Sequence, residues 1–134
     1  MLEIDEISLK AITSAIDETI KLIDEKKDIR LVTSFMGNVS NKIRATSEIR
    51  ETPENGFVSL VFSVLSTSIS ENLKAKDEEW FELNKELCNQ CSDQIRNFLR
   101  GMKSSFESKS FEEATNVLKT FAFTLTQIIN RMSD

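Results

Sequence analysis

Two thiols three residues apart, in Cys88-Asn89-Gln90-Cys91, are the residues whose type and spacing most directly suggest chemistry. A C-x-x-C pair exchanges electrons when its first thiol sits at a helix N-terminus after a strand, where the dipole lowers its pKa. Here the pair falls inside a helical pattern, about three turns from its start, with no strand–helix–strand pattern around it. Zinc would need two more ligands, and in a chain with no His these would come from carboxylates or a second subunit. Cys91 lies on an apolar stripe and Cys88 flanks it, so both are expected to be core thiols.

Carboxylates form the second group. Glu3-x-x-Glu6 and Glu25-x-x-Asp28 put acids three apart, and Mg²⁺ chemistry takes several carboxylates on adjacent helices beside the phosphates. This spacing resembles the paired E-x-x-E and E-x-x-D helices of all-α nucleotide pyrophosphohydrolases, which implies a Mg²⁺-dependent hydrolase as one alternative. The chain departs from that pattern at Lys26-Lys27, which replace the apolar residues that would seat such a helix. All four acids also fall at helix ends, where compensation of the helix dipole accounts for them. Glu78, Glu82 and Glu86, four apart, form an acidic ridge able to steer a basic protein surface, or else a solvated face at the favourable end of a helix.

Serines supply the third pattern. Ser59, Ser63, Ser66 and Ser70 are spaced four, three and four in a stretch, residues 55–70, that carries no charge at all. A helix apolar on one side and small-polar on the other is central and covered all round, or becomes covered by a second molecule. Small residues allow close helix approach, and serine hydroxyls bond back to the carbonyl four residues earlier.

Composition limits what these groups do. Without His there is no Ser-His-Asp triad, no His-ligated zinc or haem and no phosphohistidine relay. Gly37, Gly56 and Gly101 stand alone, so no glycine-rich phosphate loop is present. With 17 Lys+Arg against 22 Asp+Glu the net charge is −5. Such a chain lacks the field that draws proteins onto nucleic acid, and Arg96, Arg100 and Lys103 are too few to supply it locally. Two cysteines are too few for a disulfide scaffold. The acidic start Met1-Leu2-Glu3-Ile4-Asp5-Glu6 is unlike a signal peptide. Residues 55–70 fall short of the ~18 apolar residues of a membrane span. The expectation is a cytoplasmic soluble protein.

The positions of these groups depend on helices. Apolar residues recur at spacings of three and four throughout, predicting an all-α, antiparallel up-and-down bundle of four to five amphipathic helices in one domain, 1–134. The helices are expected at about 4–27, 29–50, 53–74, 77–103 and 111–132. Asp28, Thr52 ahead of Pro53, and Asp77 are expected N-caps, and Ser110 with Glu113 a capping box. The stripes read Leu9, Ile12, Ile16, Ile20, Ile23, then Ile29, Val32, Met36, Val39, Ile43, then Val58, Val61, Leu65, Ile69, Leu73. The fourth reads Trp80, Leu83, Leu87, Cys91, Ile95, Phe98, Met102 and the last Ala114, Val117, Phe121, Leu125, Ile128, Met132. Residues 57–65 are β-rich, but the serine spacing favours helix. A stretch from Gly101 to Lys109 reads as a loop, and Gly37-Asn38 as a close crossing or kink.

These readings favour a non-enzymatic interaction or adaptor module that binds other proteins, including a second copy of itself, through Ser59, Ser63, Ser66, Ser70, Glu78, Glu82 and Glu86. No cofactor, metal, nucleic acid or membrane span is expected. Carriage of a hydrophobic ligand, or binding to a lipid surface, is the alternative.

Overall fold

The computed structural model describes residues 1–133, which form six helices: α1 (Glu6–Asp24), α2 (Ile29–Ile49), α3 (Pro53–Lys74), α4 (Glu78–Leu83), α5 (Lys85–Glu107) and α6 (Phe111–Met132). The sequence sets most of the boundaries by capping, since a helix leaves its first N–H groups unpaired. Asp5, Asp28, Thr52, Asp77 and Ser110 each accept from a main-chain N–H two or three residues on. Lys26, at φ 57, is a left-handed residue that ends α1 just before the Asp28 cap.

Three boundaries differ from the sequence expectation. Residues 1–5 precede α1 in an extended segment. Gly101 to Glu107 is helical, with Ser105 buried and its hydroxyl donating to the Gly101 carbonyl at 2.8 Å. Those small residues serve packing: a Cβ on Gly101 would lie 3.0 Å from both methyls of Val117, so α5 and α6 close on each other there. Finally, the helix expected at 77–103 breaks at Asn84, whose side-chain amide donates to the Trp80 carbonyl at 2.8 Å. The break shifts the phase of the apolar stripe. Phe81 is buried, and Leu83, expected inside, is 76% exposed. Gly37 marks no close crossing, for an added Cβ there would meet nothing within 4 Å, and α2 continues through it.

The five long helices form a ring in the order α1, α2, α3, α6, α5 and back to α1, with α2 and α5 also touching across the interior. Neighbours alternate in direction except one pair. Phe57 meets Phe111 near the starts of α3 and α6, and Lys76 Nζ donates to the Met132 carbonyl beyond their ends, so these two run parallel. Alternation around an odd ring requires one such pair. Between α1 and α5, Asp17–Lys103 and Asp24–Arg96 ion pairs, both at 2.9 Å, bridge the antiparallel seam. Each such exposed pair contributes about 0–1 kcal/mol. Inside, Phe98 stacks against Phe121 at 4.0 Å and against Phe62 at 5.2 Å, tying α3, α5 and α6 together. Ile12 and Ile16 of α1 and Val32, Met36 and Val39 of α2 complete the centre without solvent exposure.

Candidate interaction surface

The serine face of α3 points inward. Ser59 and Ser66 are buried, Ser63 and Ser70 half-buried, and Ser70 lies beside Thr33 and Ser34 of α2. Small side chains let α3 lie close along α2. The bond to the carbonyl four residues earlier, expected of these serines, is made instead on other helices, at Thr19, Thr46, Ser105 and Thr115. Ser59 and Ser66 are thus taken up by packing within the chain, whereas Ser63 and Ser70 keep part of their surface exposed.

Turning the serines inward leaves part of the wide apolar arc outside. Phe57, Leu60 and Val64 are 45%, 64% and 57% exposed and sit three and four residues apart, on one outer face. No charged residue lies between Glu54 and Glu71 on this helix. Phe57 is held by edge-to-face contact with Phe111, centroids 5.9 Å apart at 71°. The other exposed large apolar residues, such as Ile7, Leu31, Ile49, Leu83 and Phe123, are dispersed over other helices. The sequence held the signal for this face: from Phe57 to Leu65 only two of nine residues are not apolar, more than a single buried stripe accommodates.

The acidic ridge is divided. Glu78 and Glu82 belong to α4 and Glu86 to α5, on either side of the Asn84 break. Glu78 pairs with Arg30, and Glu82 pairs with Lys85 at 3.2 Å. Arg30 also grips both oxygens of Asp28, at 2.9 and 2.7 Å, and lies 4.1 Å from the Phe81 ring centroid. Its hydrogen bonds hold the Asp28 carboxyl below the usual carboxylate range, and the two acids raise the Arg30 guanidinium above its own. The surface groove here, about 340 Å³, includes Lys26, Lys27, Arg30, Phe81, Lys85 and Cys88. Two of the three ridge acids are thus matched to cations of the same chain.

The Asn84 break places Cys88 at the fourth residue of α5, nearer a helix start than the sequence pattern indicates. Burial nevertheless dominates: it pushes the Cys88 thiol up and the Cys91 thiol up to about 12. Both are free, buried thiols. Glu3-x-x-Glu6 and Glu25-x-x-Asp28 lie toward opposite ends of α1, whose 19 residues span about 28 Å. They share no site, and among the described residues no three metal-ligating side chains converge. Comparison with known protein families, curated protein sequences and solved structures finds no match to this chain.

Proposed function

We propose that this chain is a non-enzymatic, cytoplasmic interaction module that binds another protein through the outer face of α3. The observation that carries the reading is the row Phe57, Leu60, Val64, held outward on the uncharged stretch of α3 between Glu54 and Glu71, whose opposite side is already packed. Contiguous exposed apolar surface is the usual mark of a contact site, and burying a side chain of this size contributes about 1.5–3 kcal/mol. A partner helix with its own apolar stripe matches the geometry, and a second copy of this chain supplies one such helix.

A photo-crosslinking residue at position 60 tests this, with the same residue at position 7, exposed on α1, as the comparison. Position 60 is expected to capture one defined protein, or a second copy, that position 7 does not, and Val64→Asp is expected to abolish capture. Identical products at both positions would refute the reading. A lipid-surface reading rests on the same exposed apolar row, Phe57, Leu60 and Val64. Co-sedimentation with phosphatidylcholine vesicles, lost in Val64→Asp, is its distinguishing result.

A further inference from the structure

The exposed residues of α3 are Pro53, Phe57, Leu60, Val64, Thr67, Glu71 and Lys74, spaced four, three, four, three, four and three. That is the heptad seam along which one helix packs on a partner helix. Spacing alone does not mark a contact, for the exposed residues of α1 include Ile7, Lys10, Ser14, Asp17, Lys21 and Asp24 at the same intervals. Chemistry separates the two rows. Four of those six on α1 are charged, whereas the first five positions on α3 carry no charge and three of them are large and apolar. The α3 seam is also preformed, since Phe57 rests edge-to-face on Phe111.

Charge selects the occupant and its direction. Two copies of the chain, each with a net charge of −5, meet with least repulsion where neither shows charge, and this seam is such a place. The two ends of the seam differ in sign. Its start is acidic, with Glu51 exposed and Glu54 half-buried, and its end carries Lys74, which pairs with Glu71 at 3.5 Å in an exposed contact. Parallel copies would set Glu71 on Glu71 and Lys74 on Lys74, like charge on like. Antiparallel copies related by a two-fold axis at residue 62 interleave the apolar rows instead. Leu60 then faces the partner's Val64, and Phe57 faces the partner's Thr67. Lys74 comes within one turn of the partner's Glu51 and the partner's Glu54. Glu71 is level with the partner's Pro53, at the positive end of that helix dipole.

We propose that the α3 outer face binds a second copy of this chain, antiparallel about a two-fold axis passing residue 62. The proposal rests on the reading of that face given above and names its occupant. By symmetry each apolar layer and each charge contact occurs twice. The contact is one helix wide, at the low end of interface size, so the dimer is a weak, micromolar one.

Sedimentation velocity on the purified full chain, from about 5 to 500 μM, tests the assembly. A monomer–dimer equilibrium is expected within that range, and Val64→Asp is expected to weaken it at least about tenfold with far-UV circular dichroism unchanged. Leu60→Asp, in the same layer, replaces Val64→Asp if that variant does not fold. Lys74→Glu is expected to weaken the dimer about threefold, and adding Glu51→Lys to recover it. A nitroxide label on Ala75→Cys, an exposed position unlike Cys88 and Cys91, reports the direction. The antiparallel pair sets the two labels about 40 Å apart and a parallel pair about 10 Å. A chain that stays monomeric throughout that range, a dimer indifferent to both Asp substitutions, or the shorter label separation overturns the proposal. The two readings fail separately. A monomer whose crosslinker at position 60 captures a different protein overturns self-pairing alone, and a monomer with no defined product there overturns the reading of the face as well.

Discussion

Val64 and Leu65 are adjacent in sequence and about 100° apart on α3, so the same substitution at the two positions should have opposite consequences. Leu65 is 9% exposed and Val64 57%. Leu65→Asp forfeits about 1.5–3 kcal/mol of side-chain burial and adds a carboxylate that must be desolvated or protonated inside, several kcal/mol more. The total, about 5 kcal/mol or above, rivals the whole stability of a domain this size, about 5–15 kcal/mol. Val64→Asp should change stability by about 0.5 kcal/mol or less, since Val and Asp have similar helix propensity and the site is on the surface. Urea unfolding followed by far-UV circular dichroism measures both. With a slope of about 2 kcal/mol per molar, a difference of about 4 kcal/mol separates the midpoints by about 2 M. Two variants lying within about 1 kcal/mol of each other would mean that α3 is rotated about its axis, and both the buried serine face and the outer apolar face would be misassigned.

Gly101→Ala should gain the helix-propensity benefit of about 1 kcal/mol only in a Val117→Ala background, because its Cβ meets the Val117 methyls at 3.0 Å. A double-mutant cycle with no coupling would count against that close approach. Asp28 has a folded pKa below its unfolded value of 3.8, so it contributes stability at neutral pH that is lost as the pH falls through that range. Asp28→Asn should therefore show a shallower loss of stability between pH 5 and 3 than wild type, by denaturant midpoints at each pH (about 3–5 brackets the carboxylate range). Cys88 and Cys91, buried with raised pKa values, should react with iodoacetamide at pH 8 far more slowly in the native chain than in guanidinium. Comparable rates would show that the start of α5 opens readily.

Helix starts were legible in the sequence because capping is local: Asp28, Thr52, Asp77 and Ser110 need only an N–H two or three residues away. The capping box was legible only in part. Ser110 accepts from Glu113 N, but the Glu113 carboxylate accepts the Ser104 and Ser108 hydroxyls at 2.8 and 3.1 Å, while Ser110 N donates to Ser105. Those serines looked like a loop because their partners lie across the turn, in the next helix. The Asn84 break was hidden by a stripe that reads straight through it, Trp80, Leu83, Leu87, Cys91; what reverses it is Phe81 turning inward beneath Arg30, a contact 51 residues away in sequence. On α3, periodicity located two special faces and could not orient them, since serine and apolar arcs are both uncharged. The extended segment of residues 1–5 escaped because two alternating apolar residues, Leu2 and Ile4, are too short a pattern to stand out beside the helical stripe that follows.

An odd number of long traverses also has a mechanical consequence. Residue 1 and residue 133 emerge at opposite poles, separated by roughly the 33 Å length of a 22-residue helix. Tension applied through the two termini therefore loads the helix seams in shear along their length instead of peeling one helix away, and copies fused in tandem would stack pole to pole. Joining the ends into a circle would need a linker of about ten extended residues, at roughly 3.3 Å each, laid along the outside of the barrel of rods.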